Sequence, residues 1–278
     1  MGINSRTRLT CLLGHPVHHS ISPAIHNASY ESVGINAVYL AFDVLDFPAA
    51  VSGLEALGAV GCNVTIPYKE VAYDVVDWLS DEAELTGAVN TIRFDEEVSG
   101  YNTDISGVLH SLEILGFRSV GSALLLGAGG AARSVLVGLS GRVNKVYITS
   151  RNIERVKKIL PLCDKLGLDA KAVSWEERSR IAEKADLLIN ATPLGTLGEG
   201  LPLEPRFLKQ DCYVFDLVYN PPETVLVREA KRRGCRAIGG LPMLVKQAAE
   251  AEKIWFGIHP DEELMLKVAK SLLGGGDD

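Results

Sequence analysis

The chain lacks the long apolar run a membrane-spanning helix requires: the longest, from Ser122 to Gly130, is too short and too rich in glycine to cross a bilayer. No basic stretch leads into an apolar segment with a small-residue cleavage site, so secretion is not expected and a cytoplasmic location is. An excess of positive charge is missing too. Over 278 residues, 28 Lys and Arg stand against 35 Asp and Glu, a net charge of −7. The cations are scattered rather than striped, which excludes nucleic acid as an expected partner. Cysteine is scarce, with five at 11, 62, 163, 212 and 235 and no two close in sequence. Cys11, Cys62 and Cys212 lie in apolar strand-like runs, so buried free thiols in a reducing compartment are expected rather than a disulfide framework. Internal repeats and low-complexity segments are absent as well.

What is present is ordinary globular material, 47% hydrophobic and 23% charged, long enough for one large or two modest cores. Strand-like runs alternate with helix-period segments. Thr10–Leu13, Ala37–Phe42, Gly61–Ile66 and Ala88–Phe94 read as strands, with Pro23–Val33, Phe47–Leu57 and Tyr68–Trp78 as helices between them. Asp95-Glu96-Glu97 reads as a hairpin tip. A second series opens with the strand Ser122–Leu126 and the helix Ala131–Leu139. It continues through strands Lys145–Thr149, Ala185–Asn190, Tyr213–Asp216 and Arg236–Ile238, with helices Ile153–Leu166 and Thr224–Arg233. Two series imply an α/β fold of two α/β domains, each on a mostly parallel sheet, with a cleft between them. Helices Leu241–Phe256 and Asp261–Leu273 follow the last strand and return to the first domain. The expected division is 1–104 plus 241–278 against 105–240. The Gly-Gly-Gly-Asp-Asp end is expected to fray.

Leu124-Leu125-Leu126 runs into Gly127-Ala128-Gly129-Gly130-Ala131-Ala132, a G-x-G-x-x-A pattern after a strand and before a helix. Gly127 permits the tight turn, Gly129 lets backbone N–H groups approach a pyrophosphate, and Ala132 keeps the helix close to the sheet. The helix N-terminus adds donors and partial positive charge. The next strand should end at the adenosine ribose, about 20 residues on, where an acid would hold a 2′-hydroxyl. The residues there are Thr149-Ser150-Arg151-Asn152, with Arg155 one turn further. Guanidinium groups suit a 2′-phosphate, so NADP is favoured over NAD.

Polar groups in the first half gather at strand ends, where open α/β sheets bind ligands. Thr65 and Lys69 flank Pro67 after one strand, Asn90 falls within the next strand-like run, and Asp104 precedes a helix starting at Ile105. Ser22 reads as an N-cap with Pro23 at the first helical position. Taken singly, each has a bland reading as a cap, a turn former or a solvated charge.

Taken together they resemble the shikimate dehydrogenase family. The matching blocks are Ser-x-Ser-Pro-x-x-His-Asn from Ser20, Asn-Val-Thr-x-Pro-x-Lys from Asn63, Gly-Ala-x-Asn-Thr from Gly87, Asn-Thr-Asp from Asn102 and Gly-Ala-Gly-Gly-Ala from Gly127. Asn190–Gly195, Asp216–Pro221 and Gly240–Ala248 match later blocks, in order, from about Leu12 to Gly257. The resemblance implies NADP-dependent interconversion of 3-dehydroshikimate and shikimate in aromatic amino-acid biosynthesis. It implies that Ser20 and Ser22 bind the substrate carboxylate, and that Thr65, Asn90, Asp104 and Gln247 hold the ring hydroxyls with Tyr219 nearby. Lys69 would be the acid/base, paired with Asp104. Gly127, Ala128, Gly129, Gly130, Ala131, Ser150, Arg151, Asn152, Arg155, Thr192, Val218 and Gly240 would contact NADP, with Asp81 near the nicotinamide. Two blocks depart from the family pattern. Ser150-Arg151-Asn152 replaces Asn-Arg-Thr, and Thr196 follows Gly195 where methionine is common.

The chemistry fits apart from the resemblance. A ketone carbon accepting hydride builds negative charge on oxygen and needs a proton donor within about 3 Å. Lysine carries its proton at neutral pH, and a neighbouring carboxylate favours the charged form. The alternatives are a quinate/shikimate dehydrogenase, a non-catalytic NADP sensor on the same scaffold, and a folate-linked dehydrogenase. The expected partner is a small-molecule substrate, with neither nucleic acid nor membrane. Monomer and homodimer are not distinguished. Four histidines, His15, His18, His19 and His26, crowd the stretch from 15 to 27, but it supplies no acid or thiol to complete a metal site, so no metal is expected. Hydrogen bonding by His26 and Asn27 is expected instead.

Overall fold

The computed structural model describes residues 2–274; the end expected to fray lies, from position 275 onward, outside the described residues. The chain divides into two compact units, residues 1–106 with 245–278, and residues 107–244.

In the first unit the order is β1 (Arg8–Gly14), α1 (Ser22–Ser32), β2 (Ala37–Asp43), α2 (Phe47–Ala56), β3 (Gly61–Val64), α3 (Lys69–Val75), β4 (Trp78–Leu79), α4 (Asp81–Thr86), β5 (Thr91–Phe94) and β6 (Val98–Tyr101); α5 (Asp104–Ile114) begins in this unit and continues into the second. Among the described residues these strands form one six-stranded sheet, ordered β2-β1-β3-β5-β6-β4. Neighbouring strands are parallel except β5, which runs against both β3 and β6. Strand alternation assigns the two faces of β1. Cys11 and Leu13 join Phe47, Val51, Leu54 and Val64 on one side, while Leu12 joins Tyr30, Tyr39 and Trp255 on the other. Gly61 opens β3 because a Cβ there would run into the Trp255 ring and the Ile92 carbonyl. That ring donates from Nε1 to the Ile92 oxygen at 2.9 Å.

Several boundaries move from their expected places. Asn90 lies just before β5 rather than inside a strand, although its backbone still bonds Val64 and Tyr101, and its amide oxygen accepts the backbone N–H of Thr103 at 2.7 Å. The helix expected to reach Trp78 stops at Val75, and Trp78–Leu79 pairs as a short strand with Ser99 and Gly100. The strand expected to reach Ile66 stops at Val64. Ser22 is not the N-cap of α1. Ile21 holds that position in a helical conformation, φ −93° and ψ −1°, without a side-chain cap. The hydroxyl of Ser20 instead accepts the Ser22 N–H at 3.2 Å. α5 begins at Asp104 itself. Two short elements, β4 and α4, occupy the stretch between the expected helix and the strand expected from Ala88. The hairpin tip is where it was expected, with Phe94 opposite Val98.

The second unit contains β7 (Val120–Leu126), α6 (Gly130–Leu139), β8 (Val143–Thr149), α7 (Ile153–Lys165), β9 (Asp169–Ala172), α8 (Arg178–Ala182), β10 (Leu187–Asn190), β11 (Tyr213–Asp216), α9 (Val225–Arg232) and β12 (Arg236–Ile238). Its six strands among the described residues run in the order β12-β11-β10-β7-β8-β9, parallel at every pairing. Read from the β9 edge this is the doubly wound order 3-2-1-4-5-6 of dinucleotide-binding sheets. Ala123 to Leu126 are completely buried, as a strand covered on both faces must be. α10 (Leu241–Phe256) and α11 (Glu262–Leu272) close the described chain. Among the described residues no helix is long and apolar enough to cross a membrane.

Candidate active site

In the first unit, four strand ends meet. β1 and β3 are parallel, with Leu13 beside Val64, so their following loops leave the same edge. The antiparallel β5 brings its beginning there, with Asn63 opposite Thr91. β6 brings its end there, with Tyr101 opposite Thr91. The backbone is laced across the edge: Val64 N–H donates to Asn90 O at 2.8 Å, Asn90 N–H to Tyr101 O at 3.0 Å, and Val89 N–H to Lys69 O at 2.8 Å.

That lacing assembles Lys69, Asn90 and Asp104, which lie far apart in sequence. Lys69 Nζ donates to Asp104 Oδ2 at 2.5 Å, with the side chains 16% and 5% exposed. The other oxygen, Oδ1, accepts Asn90 Nδ2 at 2.9 Å. Asn90 Nδ2 also faces Thr103 Oγ1 at 3.0 Å and Gln247 Oε1 at 3.4 Å. An amide has only two hydrogens, so the longest of these three contacts is the weakest. Gln247 reaches the group from α10. Sequence reasoning did not single out Thr91 and Thr103, whose hydroxyls lie 3.2 Å apart and fix Asn90 from behind; their one signal is that each adjoins a residue already chosen. The result is a lysine ammonium clamped on a largely buried carboxylate at a sheet edge, a proton donor held in one orientation.

Ser20, Ser22 and Thr65 stand on the loops of the same edge, where Thr65 N–H donates to Leu13 O and His15 N–H to Ile66 O, both at 2.9 Å. Ser22 is buried, while Ser20 and Thr65 are half-buried. Among the described residues none of these three hydroxyls bonds to Lys69, Asn90 or Asp104. Three of the four histidines meet acids that tertiary folding supplies. His15 Nδ1 and His18 Nε2 lie 2.5 and 2.9 Å from the two oxygens of Asp43. His26 Nδ1 lies 2.7 Å from Glu252 Oε1, both side chains completely buried. Asn27 bonds the Tyr39 backbone in both directions, accepting its N–H at 2.8 Å and donating to its carbonyl at 2.9 Å. Asp81 is exposed in the first turn of α4.

In the second unit Gly127 has φ +113°, and a Cβ there would come within 2.6 Å of Ala191 O. The turn at the end of β7 thus presses against the end of β10, where the strand order reverses and such sheets take their ligand. Nothing lies within 4 Å of a Cβ built on Gly129, the N-cap of α6, so open space sits over the helix N-terminus. At the end of β8 the Thr149 hydroxyl is buried without a hydrogen-bond partner. Beyond it, Arg151 and Arg155 are exposed and, among the described residues, make no ion pair. Asn152 caps α7 through Glu154 N–H at 3.0 Å. An open donor cradle, an unsatisfied hydroxyl and two uncommitted guanidiniums fit a pyrophosphate and a phosphorylated ribose.

The far side of this cradle is built around Asn190 and Asp216, which sequence reading quotes without a role, and Thr192, Val218 and Gly240, which it assigns to NADP. Asn190 Oδ1 accepts both Thr192 N–H and its hydroxyl, at 3.1 and 2.6 Å, and Asn190 Nδ2 donates to Asp216 at 2.8 Å. Asp216 in turn accepts Val218 N–H at 3.1 Å, and Gly240 N–H donates to Val218 O at 2.9 Å. Burial pushes the Asp216 carboxyl above the ordinary aspartate range, against the pull of hydrogen bonds from Thr224, Asn190 and Val218. Thr192, Val218 and Gly240 are thereby linked in one chain. Tyr219 is half-buried in the same unit.

Two family descriptions match stretches of the chain. The description of the shikimate dehydrogenase substrate binding domain matches residues 12–92, and that of the shikimate 5′-dehydrogenase C-terminal domain matches residues 240–270. The chain is 43% identical over 283 residues to the NADP(+) shikimate dehydrogenase of Moorella thermoacetica, covering 98% of this chain and 96% of that one. Among solved structures, a shikimate dehydrogenase in complex with NADP+ superposes with a TM-score of 0.89 at 38% identity over 98% of both chains. The quinate dehydrogenase of Corynebacterium glutamicum in complex with NAD reaches 0.87 at 29% identity, over 95% of this chain and 99% of that one.

Proposed function

The chain belongs to the shikimate dehydrogenase family, and from that premise we propose how its residues carry out the NADP-dependent interconversion of 3-dehydroshikimate and shikimate. The enzyme is an oxidoreductase acting on a CH–OH group, in the route to aromatic amino acids. When bound, NADP supplies or accepts the hydride at the carbon bearing that oxygen. The chain's own task is the proton. As charge grows on the ketone oxygen, Lys69 delivers its proton there, and the same amine takes the proton back in alcohol oxidation. Asp104 holds the ammonium in line, and Asn90 holds Asp104, so little reorganisation is needed at the moment of transfer. In oxidation the lysine acts as proton acceptor, and in reduction as proton donor.

Ser20 and Ser22 grip the substrate carboxylate, and Thr65, Asn90, Asp104 and Gln247 hold the ring hydroxyls, with Tyr219 also assigned to the substrate. Gly127 to Ala131 cradle the pyrophosphate, and Ser150, Arg151, Asn152 and Arg155 take the phosphorylated ribose. Thr192, Val218 and Gly240 line the cofactor's other end, and Asp81 serves the nicotinamide. A cytoplasmic setting completes the proposal, supported by five free, buried cysteines. The observation that carries the reading is the Lys69–Asp104–Asn90 chain, a clamped proton donor at a ligand-binding sheet edge.

A quinate-accepting enzyme is the second reading, favoured by the likeness to a quinate dehydrogenase. Initial rates with shikimate and quinate, each with NADP and NAD, decide between them. The expected result is the highest kcat/KM for shikimate with NADP; a higher value for quinate would transfer the assignment.

A further inference from the structure

We propose that Cys212 and Cys235 form a dithiol site in the second unit that is converted to an intramolecular disulfide by thiol–disulfide exchange with a small disulfide. The two residues are 23 apart in sequence, yet their Sγ atoms lie 3.2 Å from each other, both as free thiols. Each immediately precedes one member of the Tyr213–Arg236 register pair of β11 and β12, so the two face each other at the start of neighbouring parallel strands. Adjacent strands run about 4.8 Å apart, inside the Cα separation of roughly 4.4–6.8 Å that a disulfide spans. The Arg236 N–H donates to Cys212 O at 3.0 Å, which holds the two backbones at that spacing.

Access distinguishes this pair from the other cysteines. A cavity of about 320 Å³ opens on Cys212, lined also by Asp186, Lys209, Asp211 and Tyr213. Cys11 and Cys62 are register partners too, but they sit on inner strands of the first sheet, completely buried, as is the solitary Cys163. The cavity lies at the amino ends of β7 and β11, the opposite ends from those carrying the glycine turn and Val218. No cofactor or substrate role assigned above involves it.

The chemistry balances without a metal, the external disulfide being the oxidant. Cys212 gives up its proton to solvent and attacks one sulfur of the external disulfide, expelling one thiol. Cys235 then gives up its proton and displaces the second thiol from Cys212 as the Sγ–Sγ bond closes. Two cysteine thiols are oxidised by two electrons, and one disulfide is reduced to two thiols. Burial pushes the Cys212 thiol well above its ordinary value, so the exchange is slow at neutral pH and faster in mild alkali, where more thiolate is present.

The test uses the folded full-length protein, reduced, desalted and incubated with bis(2-hydroxyethyl) disulfide at mildly alkaline pH. Remaining thiols are then alkylated in denaturant and the mass is read. The expected product has lost two of its five alkylatable cysteines, is lighter before alkylation by about 2 Da for the two hydrogens removed, and yields a linked peptide joining 212 to 235 that dithiothreitol releases. Cys235→Ser is expected to stop at the mercaptoethanol adduct on Cys212, and Cys163→Ser to behave as the parent. Three outcomes overturn the proposal: five free thiols in the folded protein while the unfolded chain cross-links in the same oxidant, a persistent adduct on the parent protein, or a link between 11 and 62.

Discussion

Replacing Lys69 with methionine keeps the aliphatic stem and removes the ammonium, so two separate losses are expected from one change. The first is catalytic. A missing general acid costs about 10²–10⁴ in turnover, which at 1.36 kcal/mol per decade is roughly 2.7–5.4 kcal/mol of barrier. The second is structural. Asp104, only 5% exposed, keeps Asn90 on Oδ1 but loses the partner 2.5 Å from Oδ2. Removing one member of a buried pair costs about 3–5 kcal/mol. The surviving Asn90 bond and the 16% exposure of Lys69 place the expected loss at the lower end, about 3 kcal/mol, or a Tm fall of roughly 6–12 °C for a chain of this size. Thermal unfolding first establishes that the variant is folded at the assay temperature. Initial rates in both directions across pH then separate the two effects. Because the cofactor cradle belongs to the other unit, KM for NADP is expected to stay near that of the parent. The double variant Lys69→Met/Asp104→Leu is expected to regain most of the stability and none of the turnover, since it removes the stranded carboxylate but restores no proton donor. A folded Lys69→Met enzyme within tenfold of the parent kcat in both directions would refute the assignment of the proton to Lys69.

Four further outcomes are expected. Ser22→Ala should raise KM for shikimate by about tenfold, the value of one hydrogen bond to a charged group, and leave KM for NADP unmoved in the same kinetic series. Arg151→Ala should raise KM for NADP by about 10–100-fold while scarcely changing that for NAD, because the lost contact is to the phosphate that NAD lacks; equal effects on both cofactors would point to a purely structural role. Glu252→Ala should lower Tm by about 10 °C, since it strands the completely buried His26 and the Ser29 hydroxyl that donates to Glu252 at 2.6 Å; a calorimetric scan checks it. Asp216 gives the pH dependence. Its carboxyl is raised in the folded state by burial, so the folded chain binds that proton more tightly than the unfolded chain. The stability it contributes is present below the ordinary aspartate value, about 4, and is lost as pH rises from there through the raised folded value. Asp216→Asn should flatten that stretch of the urea-midpoint profile, and an unchanged slope would show that another group causes it.

How far the fold was legible follows from the range of the forces involved. The Gly127 turn, the helix after it and the arginines after β8 were readable because turn chemistry and strand-to-helix alternation act within a few residues. Lys69, Asp104, Asn90 and Gln247 were chosen from the sequence, yet no local signal says that an ammonium 35 residues away lies against Asp104. The errors have the same origin. Asn90 was read into a strand because its apolar neighbours fit one, while its amide is captured by the Thr103 backbone. Trp78 was read into a helix because its pairing partner, Ser99, is remote. Ser22 was read as a cap because the residue type favours caps, whereas the backbone had already turned helical at Ile21.

The sequence by itself determined the α/β class, the mostly parallel sheets, the dinucleotide turn and the roster of polar residues at strand ends, since these follow from periodicity, glycine conformation and residue chemistry. Only the tertiary structure decided which of them touch. The antiparallel entry of β5 brings Asn90 to Lys69 and Asp104, Asp43 takes His15 and His18 while Glu252 takes His26, and β11 and β12 set Cys212 against Cys235. Those pairings rest on contacts between residues tens to hundreds of positions apart, fixed by sheet order and core packing, which no short window of residues encodes.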